Sequence, residues 1–199
     1  SDLTLGSIAS HMDTHGKLAN KAFTASGDPE VTTVNGMQAV TFDGDDYFEG
    51  PTTVPGLQGS SNRTLTAWFY NPSFASDKTV ISWGRQGSPN GNMPFITAQG
   101  PLGELSISGE LLRVGQREES GDWTFIVYTQ DGTQAKLYTN GKLSNELEAT
   151  INTVGELRML LGAQRGSDGT TVATGTRASL SIAKLNVYDE AIAAADINC

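Results

Sequence analysis

The chain has 199 residues, a length that suits one domain with a sizeable core. Its hydrophobic fraction is 37%, and 23 glycines lift the apolar total into the ordinary globular range, which excludes disorder as the starting reading. A formal net charge of −9 disfavours nucleic acid and anionic membranes as partners and weakly favours cations. One cysteine, Cys199, excludes an internal disulfide framework, and no apolar run approaches the ~20 residues of a spanning helix, so no membrane insertion is expected. Ser1 in place of Met reads as processing or excision from a longer protein, and Cys199 as a thiol either free or paired outside these residues.

Strand-like runs recur along the chain at 37–42, 64–70, 79–83, 123–129, 135–139 and 182–188. Between them lie Asn35-Gly36, Asp43-Gly44, Asp131-Gly132 and Asn140-Gly141, pairs that tolerate the positive φ angles of tight hairpins. Asn140-Gly141 separates Lys136-Leu-Tyr-Thr139 from Lys142-Leu143 and predicts a hairpin. In Thr64-Leu-Thr-Ala-Trp-Phe-Tyr70, Leu65, Ala67 and Phe69 alternate with Thr66, Trp68 and Tyr70. In Trp123-Thr-Phe-Ile-Val-Tyr-Thr129, Trp123, Phe125 and Val127 share one face and Thr124, Ile126 and Tyr128 the other, both mostly apolar, as in a central strand covered on both sides. The Gly-rich stretch 84–103 reads as a long loop holding one strand, and loops of that length are often functional. Helical signal is confined to single turns at 7–15 and 191–197. These features predict one all-β domain over 1–199, an antiparallel β-sandwich.

Several blocks in order carry a family resemblance. Ala39-Val-Thr-Phe-Asp-Gly-Asp-Asp-Tyr-Phe48, Leu65-Thr-Ala-Trp-Phe-Tyr-Asn-Pro72, Thr79-Val-Ile-Ser-Trp-Gly-Arg-Gln-Gly87, Trp123 to Gly141 and Ser181-Ile-Ala-Lys-Leu-Asn-Val-Tyr-Asp189 resemble laminin G-like domains of the concanavalin A-like lectin/glucanase superfamily. The resemblance implies a jelly-roll sandwich, extracellular or at the cell surface, often one part of a larger protein, that binds glycans or proteins. Many members carry calcium; where calcium-holding members often have an acid in the last strand, this chain has Lys184.

Catalytic chemistry finds little purchase. Glycosidases need two carboxylates facing one bond, and the alternating Glu-x-Asp-x-Glu pattern of the glucanase relatives is missing from Glu104, Glu110, Glu118 and Glu119. His11 and His15 lie four apart, without the Glu of a zinc protease, and read as surface residues. Asp43 and Asp45 resemble half a calcium loop, so calcium is the one cofactor expected, in a structural role; a hairpin turn with surface acids is the alternative. The Gly166-Ser-Asp-Gly169 turn reads the same way. Sugar recognition combines an aromatic face with amides and guanidinium groups. Trp83, Arg85, Asn90, Asn92, Arg165 and Asp168 fit that set if their loops meet, although Trp83 also reads as core. Trp68 and Trp123, inside strands, read as core. The expectation is a monomeric, non-catalytic glycan-binding module, with a protein-binding adhesion module as the second reading and a polysaccharide hydrolase as the third.

Overall fold

A computed structural model describes residues 15–18, 21–52, 54, 57–72, 78–85, 95–97, 103–107, 110–113, 121–148, 151–153 and 157–197. The described chain forms β1 (His15–Gly16), β2 (Thr24–Ser26), β3 (Glu30–Val34), β4 (Met37–Asp43), β5 (Tyr47–Glu49), β6 (Arg63–Tyr70), β7 (Lys78–Ser82) and β8 (Phe95–Thr97). It continues through β9 (Gly103–Ile107), β10 (Glu110–Arg113), β11 (Trp123–Gln130), β12 (Gln134–Thr139), β13 (Lys142–Glu148), β14 (Leu160–Leu161) and β15 (Ser179–Tyr188). Single 3-10 turns stand at Thr174–Thr176 and Ala194–Asp196, the second within the turn expected at 191–197. The turn expected at 7–15 falls outside the described residues, except that His15 opens a strand.

One sheet has the order β13-β12-β11-β6-β15-β4-β3, with β1 beside β15; the other runs β10-β9-β8-β7-β14-β5-β2. All pairs are antiparallel except β1 with β15. This is the expected sandwich of two antiparallel sheets. The described residues of the stretch 84–103 include the strand β8, and β9 and β10 extend the second sheet beyond the runs legible in the sequence.

Two Asn-Gly turns set the hairpin registers. Asn35 and Gly36 have φ of 46° and 82°, and Asn140 and Gly141 have 49° and 78°, so both central residues are left-handed, as a two-residue hairpin requires. Alternation then sorts side chains between faces. Leu65, Ala67 and Phe69 of β6, with Ile126 and Tyr128 of β11, enter the core between the sheets. They meet Phe42, Phe48, Ile81 and Leu161, and Phe42 packs edge-on against Phe48 at 5.5 Å. Gly162 (φ 79°) is required beneath this cluster, since a Cβ there would lie 3.1 Å from the Phe42 ring.

Arg63, fully buried at the start of β6, donates to the carbonyls of Leu57 (3.1 Å), Gly59 (2.6 Å), Gln58 (3.4 Å) and Ser61 (2.9 Å) and to Thr153 Oγ1 (3.2 Å). Burial pulls its pKa down. The planar fork satisfies a loop whose carbonyls would otherwise be stranded.

β15 changes partner midway. Its first half pairs with β4 through Ile182, a bulge interrupts it between Ala183 and Asn186, and Asn186 and Val187 then pair with β1. Lys184 carries the bulge at φ 49°, a left-handed conformation costing a non-glycine residue about 1–2 kcal/mol. The side chain is exposed, so its replacement isolates the backbone effect. Lys184→Gly is expected to hold or raise stability by up to about 1 kcal/mol, and Lys184→Val to lower it by about as much, in urea denaturation. The reverse order would mean that the bulge is not left-handed.

Candidate functional site

Of the first loop expected to form a rim, the described residue Arg85 lies against the 166–169 turn. Arg85, exposed just beyond β7, donates from Nη1 to the Ser167 carbonyl at 3.4 Å, and its Cδ lies beside Gly169. The contents of that rim are structural, however. Arg165 is 7% exposed; its Nη2 donates to Glu49 Oε1 at 2.6 Å and its Nη1 to the Thr170 carbonyl at 3.3 Å. Asp168 accepts the Thr171 hydroxyl and the Thr170 and Thr171 N–H groups, which close the turn and hold its carboxyl well below the usual carboxylate range. Asn90 and Asn92 lie outside the described residues.

Trp83 departs from its reading as a binding residue. It is 3% exposed, its ring centroid lies 6.2 Å from that of Tyr128, and it belongs to the core. Its Nε1–H meets no acceptor among the described residues. With Leu57, Gln58, Leu157 and Met159 it lines only a shallow depression. A ring turned inward cannot offer its face to a sugar.

The acidic corner is larger than Asp43 and Asp45. Carboxylate oxygens of Asp28, Asp45 and Asp46 lie within 4.8 Å of one another; Asp43 is outside this group. Asp46 is 2% exposed, with Oδ1 accepting the Asp28 N–H at 2.8 Å and Oδ2 the Asp43 N–H at 3.2 Å. Burial pushes the Asp46 carboxyl up. The hydrogen bond to the Asp43 carboxyl and that group's charge push Asp45 up, while Asp43 is pulled down, chiefly by the Asp45 N–H. Arg177 donates to the Asp45 carbonyl and lies over the Tyr47 ring at 5.2 Å. The cation of this corner is therefore Arg177. Lys184 sits beyond Ser179, the β15 residue opposite Asp43, at the bulge.

The outer face of the eight-stranded sheet holds the aromatic residues that strand position alone would assign to the core. Register places Trp68 opposite Phe125 and Tyr70 opposite Trp123. The Trp68 and Phe125 rings lie 5.0 Å apart at 27°, and Tyr70 and Trp123 5.7 Å apart at 53°. All four are half-buried. Trp123 is fixed by donation from Nε1 to the Val34 carbonyl at 2.9 Å, and Asn35 Nδ2 donates to the Gly121 carbonyl at 3.2 Å, so the β3–β4 turn braces this end. Beside Tyr70 runs a hydroxyl ladder, Ser181 to Thr41 at 2.7 Å and Thr41 to Thr32 at 2.5 Å. Next to the strip the face is covered: Ile192 and Ile197 pack with Val127 and Tyr138, a cluster that Phe125 borders, and Thr64 Oγ1 donates to the Glu190 carbonyl and accepts the Ile192 N–H.

A sequence profile described as the concanavalin A-like lectin/glucanases superfamily matches residues 42–198, the span that contains both sheets' central strands. The chain belongs to that superfamily. No curated sequence matches it. Among solved structures, this concanavalin A-like domain is similar to domain 4 of an extracellular GH43 arabinanase from Geobacillus stearothermophilus, in complex with arabinotriose, with 15% identity, 88% of this chain and 86% of that one covered, and a TM-score of 0.61. It is also similar to the binding domain of Paraclostridial Mosquitocidal Protein 1 (9% identity, TM-score 0.66), covering 89% of this chain and 46% of that one. A third likeness is to a Trypanosoma rangeli sialidase mutant with trans-sialidase activity (14%, TM-score 0.62), covering 89% and 28%. At these identities the likeness establishes the fold, and the chain spans under half of the toxin domain and of the sialidase. No helix among the described residues is long and apolar enough to cross a membrane.

The sequence did hold a sign that would have located the aromatic strip. On β6 the set Leu65, Ala67, Phe69 is wholly apolar, while Trp68 shares its face with Thr64 and Thr66. A mixed set is the one to turn outward. In this concanavalin A-like sandwich, Trp83→Ala is expected to cost about 3–5 kcal/mol of folding stability, as for other buried tryptophans, whereas Arg85→Ala should leave the thermal midpoint nearly unchanged. A small loss for Trp83→Ala in chemical denaturation would contradict the burial described.

Proposed function

We propose that the chain is a non-catalytic, extracellular glycan-binding module, part of a larger secreted or surface protein, and that the outer aromatic strip is its binding surface. One observation carries this reading: beside the patch covered by Ile192 and Ile197, which Phe125 borders, the outer face bears the half-buried rings of Trp68, Tyr70 and Trp123 next to the half-buried hydroxyls of Thr41 and Thr32. Aromatic rings receive the apolar C–H face of a sugar, and hydroxyls and amides serve its edges. The arabinotriose complex of a domain with this fold lends support. The non-catalytic part is supported by the turn roles of two of the acids, since Asp46 is buried and accepts the Asp28 and Asp43 N–H groups and Asp43 accepts the Asp45 N–H.

A protein-binding adhesion module is the second reading, favoured by the toxin binding domains of this fold. A glycan array beside a pull-down of extracellular proteins separates the two. Glycan retention is expected, with Trp68→Ala and Trp123→Ala each weakening it at least about tenfold, or ~1.4 kcal/mol, and Arg85→Ala leaving it unchanged. Loss on Arg85→Ala with normal binding by both tryptophan variants would move the site to the rim. Hydrolysis of mixed polysaccharides by the purified chain would overturn the non-catalytic reading.

A single structural calcium at Asp28, Asp45 and Asp46 belongs to the same proposal. Clustered carboxylates suit a hard cation that takes oxygen ligands. The raised Asp45 and Asp46 pKa values mean that the folded corner holds protons more tightly than the unfolded chain. These acids therefore oppose folding above their raised values, and calcium offsets this only while they are ionised. Millimolar calcium should raise the thermal midpoint at pH 7.5 and do so less as pH falls through the raised values. Equal midpoints with calcium and with chelator at pH 7.5 would remove calcium from the account.

A further inference from the structure

We infer that Asn35-Gly36 is a self-modification site: Asn35 loses its amide to the backbone nitrogen of Gly36, and the product unfastens the β3–β4 turn from Trp123. The chemistry is independent of what the outer face binds. An asparagine followed by glycine holds both reactants, a carboxamide carbon and, one residue on, a backbone nitrogen that no side chain shields. The Gly36 nitrogen gives up its proton and bonds to Cγ of Asn35. The Cγ–Nδ2 bond breaks, ammonia leaves with that proton, and a cyclic imide remains. Water then opens the imide. Addition at Cγ leaves aspartate; addition at the main-chain carbonyl leaves a chain running through Cβ and Cγ, an isoaspartate. Solvent is the only co-reactant, and in sum an amide and water become a carboxylate and an ammonium ion.

The chain has three Asn-Gly pairs, at Asn35, Asn90 and Asn140, and the second lies outside the described residues. The other two sit in turns of the same kind, with φ of 46° at Asn35 and 49° at Asn140. Ring closure needs the asparagine ψ and χ1 angles to leave the turn conformation, so its rate follows how easily the tip opens. Asn140 is held to β11 twice: its N–H donates to the Phe125 carbonyl at 2.8 Å, and its Oδ1 accepts the Phe125 N–H at 2.8 Å. The strand before it, β12, is paired on both sides. Asn35 is exposed, and its side chain makes one hydrogen bond among the described residues, from Nδ2 to the Gly121 carbonyl at 3.2 Å. That bond holds the departing nitrogen and not the carbon under attack. The strand before it, β3, is the edge of its sheet among the described residues, and no atom lies within 4 Å of where a Gly36 side chain would begin.

The product matters because of what this turn holds. Val34, the residue before Asn35, accepts the Trp123 Nε1–H at 2.9 Å, and Asn35 itself ties the turn to Gly121. A carboxylate only accepts hydrogen bonds, so it cannot replace the amide at the Gly121 carbonyl. Exposed Asp122 follows Gly121, and its like charge acts to push the turn away. In the isoaspartate form the extra backbone carbon disrupts the pair of left-handed residues that sets the β3–β4 register. Either product loosens the Val34 carbonyl from the Trp123 indole.

The test is storage of the full chain at pH 6 and at pH 8, followed by peptide mass mapping, which reads the change from amide to acid. The peptide with Asn35 should convert at least about fivefold faster than the peptide with Asn140, the factor that one further hydrogen bond supplies against local opening. Conversion should be faster at pH 8, where more of the Gly36 nitrogen is deprotonated. In the stored protein and in Asn35→Asp, solvent exchange of the Trp123 indole N–H should speed up while that of Trp83 does not. Asn35→Gly keeps a residue that accepts the left-handed conformation and has no amide to lose, so its Trp123 exchange should not change on storage. Conversion of Asn140 as fast as Asn35 would overturn the inference. So would Trp123 exchange that stays the same once Asn35 has converted, or that speeds up equally on storage of Asn35→Gly.

Discussion

The register of β6 against β11 is the constraint on which the rest of the molecule depends. Side chains of a strand alternate between faces, so a slip of one residue would exchange the two sets completely. As it stands, Leu65, Ala67 and Phe69 close the core with Ile126 and Tyr128, and Trp68, Tyr70, Trp123 and Phe125 stand outside. Core and aromatic strip are thus consequences of one pairing. The Asn140-Gly141 turn holds β12 to β13, and the Asn35-Gly36 turn carries β3 up to Trp123, where the Val34 carbonyl fixes the indole.

Arg63 contributes at the end of the same strand. Most buried charges in proteins are paired with an opposite charge, and this one makes its hydrogen bonds to carbonyl oxygens and one hydroxyl instead. Desolvating a guanidinium costs several kcal/mol, and the acceptors offset this because each would itself be stranded without the fork. The arrangement ties the 57–61 loop to Thr153, and so joins the connection before β6 to the connection before β14. A lysine, with one point charge and three donors on a flexible stem, could not reproduce it.

Much of this was legible in the sequence, and the parts that were not share a cause. The Asn-Gly turns, the alternation in β6 and β11 and the terminal turn followed from local rules, and the ordered blocks resembled the superfamily to which the chain belongs. Alternation states which residues share a face but not which face turns inward. For that reason Trp83 could be read as a sugar platform and Trp68 and Trp123 as core, where the structure has the reverse burial. Asp28 was invisible as a member of the acidic corner because only the packing of its loop against the β4–β5 turn brings its N–H to Asp46. The Lys184 bulge had no signal at all, since a lysine in the left-handed region obeys no propensity.

The three tryptophans divide into one core residue and two half-buried on the outer face, and the indole N–H resonances of Trp68, Trp83 and Trp123 report on each separately. Their assignment by single substitution, followed by titration with a glycan that the chain retains, tests the central claim directly. The Trp68 and Trp123 resonances are expected to shift with saturation while that of Trp83 stays in place. Movement of Trp83 with Trp68 and Trp123 unchanged would contradict it and return the site to the opposite end of the sandwich.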